Sequence, residues 1–332
     1  MADLRLTMAC GPYDRTEPLR NGAVQIEGVD LTYLPIQSPM DIFGPMLKES
    51  AFDIAEMSLT HCFVLRARNR FPFITLPVFP SRMFRHGYIF LNRRSGIKSP
   101  KDLENKRIGV QGYQMTAAVW IRGMLREEHG VSLDEVQWVE GGVNVPRVSE
   151  DEVTMLETIK PLNRKLAGKE KTLSRMLADG EIDALIGALI PSSYGSNPDV
   201  VRLFPKYQEM ERDYFRRSRI FPIMHALVIR EGLCREHPWL RERVYRACEQ
   251  AKSLAQKQMR FSASLRYMLP WLLEHLQEID EIFGGDPWPY GLEPNRPALE
   301  AFSRYLFEQH FVSEPVAIEK VFAPVAVSTR GV

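Results

Sequence analysis

SPKDLENKRIGVQGYQMTAAVWIRGML, residues 99–125, is the stretch whose reading decides the fold class of this chain. Ser99 and Pro100 are a helix N-cap and first helical position, with Asp102 in the first turn. Arg107–Val110 reads as a short apolar strand, Gly112 turns the backbone, and Gln114, Met115 and Thr116 open the next helix. A helix that starts directly after a strand presents unbonded N–H groups and the positive end of its dipole. Strand, loop and helix in this order belong to an α/β protein, and the helix start suits a small anion such as a carboxylate.

The alternation continues in both directions. Residues 4–9, 29–34 and 52–57 read as strands. A helix opened by Ser38, Pro39 and Asp41 runs to about residue 49, and one capped by Thr60 runs through His61 to about residue 70. Residues 74–79 and 88–92 are extended, with the basic loop 81–86 between them. Beyond the opening stretch, 136–139, 182–186, 200–204 and 221–229 are strand-like, and 173–178 is a helix stopped by Gly180. Residues 143–171 read as polar loop with one helical turn. From Pro238 the pattern is helical over 238–260, 262–283 and 296–310, with a Pro/Gly-rich break at 284–297.

Strands alternating with helices imply a mostly parallel sheet. The extended stretches 84–92 and 220–229 flank a middle block with its own βα pattern. The expected architecture is therefore two-lobed. Residues 1–86 plus 225–332 form lobe 1 with a C-terminal helical extension, and 87–224 form an inserted lobe 2, with the substrate cleft between lobes. Ligands of open parallel sheets bind at the carboxyl ends of strands, here the loops after residues 9, 57, 79, 110 and 187, together with the crossover strand near residue 224.

The 332 residues, 45% hydrophobic, suffice for two cores. With 43 basic against 42 acidic residues, the formal charge of +1 excludes nucleic acid as the main partner. No apolar run approaches the roughly 20 residues of a membrane span, so no membrane partner is expected. The start, MADLRLTMACGPYD, lacks a basic segment followed by an apolar one, and a cytoplasmic location is expected. Cys10, Cys62, Cys234 and Cys248 are scattered without C-x-x-C spacing and read as buried, inert thiols rather than disulfides or a zinc site.

The strand-end loops carry ACGPYDRT (9–16), FDIAEMSL (52–59), FPSRMFRH (79–86), GVQGYQMTAAVW (109–120), LADGEIDALI (177–186) and IFPIMH (220–225), and WPYGLEPNR follows at 288–296. In this order they resemble the 4,5-dihydroxyphthalate decarboxylase family, whose members look like the type 2 periplasmic-binding-protein fold. The resemblance implies that fold over nearly the whole chain. It also implies a cofactor-independent carboxy-lyase that converts 4,5-dihydroxyphthalate to 3,4-dihydroxybenzoate and CO2, with a small aromatic carboxylate as substrate partner. A homo-oligomer stays possible. The alternative is a non-catalytic solute-binding protein for a small aromatic or heterocyclic anion; a third reading is an enzyme of the same fold in cofactor-precursor synthesis.

Direct loss of CO2 from such a ring would leave an unstable aryl anion. The accessible route protonates the ring carbon that bears the carboxylate, helped by a para hydroxyl, and then expels CO2. It needs an acid near that carbon, an acceptor for the phenolic proton, and cations for the carboxylates. His225, on an apolar strand expected to cross the hinge, is the first choice of proton donor, against a strand histidine satisfied by backbone. His86, beside Arg82 and Arg85, is the second; the two arginines would hold it neutral as a base. Arg82 joins the catalytic set. Arg15 and Arg85 are candidate carboxylate forks. Glu56, Ser58, His61, Gln114, Met115 and Thr116 complete the substrate-binding set, Glu56 either taking the phenolic proton or, as favoured, pairing with one of the arginines. Arg122, two turns into its helix, is expected to face solvent, and Trp288, Pro289 and Tyr290 to pack helices. No nucleotide fingerprint, H-E-x-x-H or Schiff-base lysine motif is present, so neither cofactor nor metal is expected.

Overall fold

A computed structural model of the chain describes residues 3–147 and 156–325. Contacts divide the chain into two units. The first comprises Met1–Arg82, Ile223–Leu299 and Ala317–Val332; the second comprises Met83–Pro222 and Glu300–Val316.

The first unit is built on a five-stranded sheet. Its strands, from one edge, are Val29–Pro35, Leu4–Cys10, Ile54–Ser58, Ile223–Arg230 and Phe73–Arg82. The first three are parallel, and Ile223–Arg230 lies antiparallel between its two neighbours. The returning strand therefore begins where the parallel strands end, which brings its first residues to their carboxyl edge. Met8, Ala9 and Cys10 and all of Ile54–Ser58 are buried, as a strand covered on both faces requires. Phe73–Arg82 is irregular: Leu76 and Ser81 are five positions apart, while their partners Leu227 and His225 are two positions apart. Pro77 and Pro80 fall in that bulge, where a missing N–H costs no ladder bond.

The second unit carries a six-stranded sheet in the order Val200–Arg202, Ile89–Asn92, Ala184–Ile186, Arg107–Val110, Gln137–Glu140 and Arg164–Leu166. The last four are parallel, while Ile89–Asn92 is antiparallel to both its neighbours. The stretch that opened the reading forms as expected. Asp102 accepts from the Ser99 amide at 2.8 Å and the Ser99 hydroxyl at 3.0 Å, capping a single 3₁₀ turn. The helix Thr116–His129 packs Trp120 against Phe302 and Tyr305. Gly123 is required there, because a Cβ would lie 2.1 Å from the Tyr305 ring.

Four sequence expectations are corrected. The helix after the third strand is Leu59–Ala67, with Ser58 rather than Thr60 at its N-cap, and Asn69 in the left-handed region (φ 53°) follows its end. Of 262–283 only Leu272–Phe283 is helical; Pro270 disfavours a helical Leu269 and removes an N–H. The helix Tyr207–Ser218 was not anticipated: half of its residues are charged and only Tyr214 and Phe215 are buried, so no apolar stripe marks it. The polar stretch 143–171 holds a strand, Arg164–Leu166, and no helical turn among its described residues; 148–155 lie outside them. Among the described residues no helix is long and apolar enough to cross a membrane.

Candidate active site

Sheet geometry assembles the site in the first unit. His225 is paired with Ser58 across the antiparallel ladder, and Glu56 lies two residues back on the same strand. Side chains two apart share a face, so Glu56 is the diagonal neighbour of His225. The pair closes to 2.5 Å between Glu56 Oε1 and His225 Nδ1. Glu56 is fully buried, and three further donors hold it. The Tyr13 hydroxyl donates to Oε1 at 2.7 Å, the Gly11 amide donates to Oε2 at 2.9 Å, and the Cys10 thiol approaches Oε2 at 3.4 Å. Gly11 is needed because a Cβ would meet the Tyr13 ring at 2.5 Å.

Burial by itself would raise the Glu56 carboxyl pKa. The His225 imidazole, the Gly11 amide and the Tyr13 hydroxyl outweigh it, and the pKa falls below the ordinary carboxylate value. Glu56 is thus an anchored carboxylate, and Nδ1 of His225 is the nitrogen that carries the proton toward it. Nε2 is the ring nitrogen that Glu56 does not engage. Burial and the Glu56 charge raise the Cys10 and Tyr13 pKa values, so thiol and phenol stay protonated. The edge of Phe43 meets the imidazole at a centroid distance of 5.0 Å. The favoured partner of Glu56 had been an arginine; the structure gives it His225 instead, 169 residues away in sequence.

Arg15 lies in the turn after the first strand. Its guanidinium is 4.1 Å from the Tyr13 ring centroid and 4.4 Å from that of Trp288. Nε donates to the Pro80 carbonyl at 2.6 Å and Nη1 to Asp14 at 3.0 Å. Two aromatic faces and two hydrogen bonds fix the plane of the fork, which a flexible lysine could not copy. Tyr13 and Trp288 are the site residues that sequence reasoning missed. The first was visible in the same Gly-Pro turn as Arg15, whereas Trp288 was assigned to packing.

Arg82 is buried and donates to the Pro289 carbonyl at 2.8 Å and to Asn295 Oδ1. It ties the end of its strand to 288–296, and burial pushes its pKa down to about 9. Ser58 and His61, at the end of the third strand and in the first turn of the helix that follows, are buried.

In the second unit, Arg85 is buried with its guanidinium 4.9 Å from the Tyr88 ring, and its Nε and Nη1 have no hydrogen-bond partner among the described residues. His86 is buried against Tyr214 and Phe204, with Nδ1 3.8 Å from Glu211. It is neutral, as expected, but the cause is burial, which drives its pKa down to about 4. At 114–116 the helix begins at Thr116 with Met115 as N-cap, and the Met115 amide is bonded to the Gly112 carbonyl at 3.0 Å. Gln114 and Thr116 are buried. Arg122 is corrected outright: it is 2% exposed, not solvent-facing. All four cysteines are free and buried. Among the described residues no three His, Cys, Asp or Glu side chains converge as a metal site.

Residues 81–204 match the family model described as NMT1/THI5 like. A 4,5-dihydroxyphthalate decarboxylase of Comamonas testosteroni is 38% identical over 304 residues, 91% of each chain. A second protein of that name, from Pseudomonas putida, is 41% identical over 217 residues, covering 65% of this chain and 83% of its own. Among solved structures, the periplasmic sulfonate-binding protein of Methylobacillus flagellatus aligns over 98% of this chain and 93% of its own, with a TM-score of 0.53 at 13% identity. That likeness gives the fold, a type 2 periplasmic-binding-protein-like α/β architecture.

Proposed function

The chain belongs to the 4,5-dihydroxyphthalate decarboxylase family, and from that premise we propose that it removes one carboxylate of 4,5-dihydroxyphthalate to give 3,4-dihydroxybenzoate and CO2. The observation that carries the reading is the buried Glu56 carboxylate 2.5 Å from His225 Nδ1. An imidazole oriented in this way delivers a proton from Nε2 to the ring carbon bearing the departing carboxylate. The hydroxyl para to that carbon gives up its proton as the ring becomes a dienone. The bond to the carboxylate then breaks, CO2 leaves, and the electron pair restores the aromatic ring as a phenolate that takes back a proton. Overall one proton replaces one carboxylate, and no electron acceptor is needed.

Glu56 stabilises the imidazolium before transfer and keeps the ring nitrogen aimed. A positioned acid of this kind is worth about 100- to 10,000-fold in rate. Arg15, held between Tyr13 and Trp288, is assigned a substrate carboxylate. Ser58 and His61 are assigned to the same strand-end surface of the first unit. Arg85 and the 114–116 helix start, both within the second unit, are proposed as carboxylate-binding groups of that unit. Arg82 is assigned to supporting the 288–296 segment that carries Trp288, rather than to a proton. The test is incubation of the purified protein with 4,5-dihydroxyphthalate while CO2 and 3,4-dihydroxybenzoate are followed. Both should appear in equal amounts; binding without either product refutes the reaction.

A further inference from the structure

The second unit holds a cavity of about 300 Å³ that the reaction does not use, walled by Tyr113, Arg122, Arg126, Trp138, Lys160 and His310 among others. Its deepest charged group is Arg122, 2% exposed on the helix Thr116–His129. Nε donates to Gln309 Oε1 at 2.7 Å and one amino group, Nη2, donates to the Tyr113 carbonyl at 2.6 Å. Gln309 is itself held, donating to the Val119 carbonyl at 2.9 Å. The guanidinium lies 3.7 Å from the Tyr113 ring centroid and 5.4 Å from that of Trp138. Its other amino group, Nη1, is buried and has no hydrogen-bond partner among the described residues. A desolvated guanidinium with an unbonded N–H is costly, and a carboxylate oxygen would relieve that cost with a charge-assisted bond.

The rest of the lining says what the carboxylate is attached to. Tyr113 and Trp138 meet edge to face, 5.2 Å between centroids, and with Val131, Leu133 and Leu162 they offer an apolar, aromatic wall. Three basic side chains, Arg122, Arg126 and Lys160, face two acidic ones, Asp134 and Glu308, leaving a single positive charge in excess. Arg126 is balanced by Glu308 at 4.0 Å. One net charge and aromatic walls favour a monoanion with a ring over a compact dianion such as phosphate. We infer that this cavity is a second ligand site, distinct from the Glu56–His225 site, that binds a small aryl monocarboxylate through Arg122. The inference does not depend on the reaction proposed above.

The probe is benzoate, titrated into the full chain labelled with 5-fluorotryptophan, with the Trp138 fluorine signal assigned from Trp138→Phe. Titration extends to about 20 mM, enough to saturate even a site of about 1 mM Kd. A saturable shift of the Trp138 signal is expected, lost in Arg122→Met. Because that variant removes a buried residue, two surface variants accompany it: Lys160→Glu should weaken binding at least threefold, and Asn163→Trp, at the rim, should block it. No shift, a shift that survives both surface variants, or an equal response to inorganic phosphate would overturn the inference.

Discussion

Glu56 Oε1 and His225 Nδ1 lie 2.5 Å apart, the carboxylate fully buried and the imidazole 16% exposed. This pair joins a parallel strand to the strand that returns from the second unit, and it converts a register into a chemical relationship. In Glu56→Gln the charge that stabilises the imidazolium is gone, although the amide oxygen can still accept from Nδ1. Turnover should fall about 100-fold, with KM within about threefold of wild type, because fewer molecules then carry the proton to be delivered and the imidazole ring is held less firmly, while Glu56 itself does not bind the substrate. Steady-state kinetics check this; a variant that loses binding rather than turnover would place Glu56 on the substrate.

Arg15 is held by the rings of Tyr13 and Trp288. Arg15→Ala should raise KM at least tenfold, since a charge-assisted bond to a carboxylate contributes about 1.5–3 kcal/mol. Arg15→Lys should recover little of this, because lysine cannot make the planar fork. Trp288→Ala should raise KM by a smaller factor. Kinetics that leave KM near wild type in Arg15→Ala would remove Arg15 from the substrate.

Arg82 bonds Pro289 and Asn295, so its replacement should register in stability before it registers in catalysis. In Arg82→Met the Asn295 amide and the Pro289 carbonyl each lose a donor. Part of the penalty of burying the charge is relieved, and the net cost is roughly 2–3 kcal/mol. Urea denaturation should show a lowered midpoint. Unchanged stability with a tenfold higher KM would instead make Arg82 a substrate ligand.

Glu211 gives a pH signature in the second unit. Burial raises its carboxyl pKa to about 7. A carboxyl raised on folding makes the folded state bind more protons between the unfolded value, about 4.3, and 7. Its destabilising effect is therefore complete above pH 7 and vanishes as pH falls toward 4.5. Glu211→Gln should be more stable than wild type by on the order of 2 kcal/mol at pH 8, with the gap closing near pH 5. Denaturation midpoints at the two pH values test the sign; a gap that widens toward pH 5 contradicts it.

Much of the fold could be read from local pattern, and the site only in pieces. Arg107–Val110 has the bounds its sequence implied, and Leu4–Cys10 differs by one residue, because each lies between unambiguous turns. The candidate residues Arg15, Glu56, Ser58 and His225 all fall at strand ends of one sheet, since the loops after parallel strands can be located without knowing strand order. What joins them could not be located. Glu56 meets His225 only because the returning strand pairs 225 with 58, and register between segments so distant leaves no periodic trace. Arg122 failed for a related reason. A charge in a helix reads as exposed, and its burial comes from Gln309 and the chain around it, far along the sequence. The helix Tyr207–Ser218 was hidden by charge, its buried face amounting to Tyr214 and Phe215.

The central claim is that His225 gives the proton. The direct measurement compares the turnover number and the substrate dissociation constant of His225→Gln with those of wild type, using 4,5-dihydroxyphthalate and a folded control by circular dichroism. The account predicts turnover at least about 100-fold lower with the dissociation constant within about threefold, the signature of a group that acts in the transition state. A variant that keeps turnover within about threefold of wild type would contradict it.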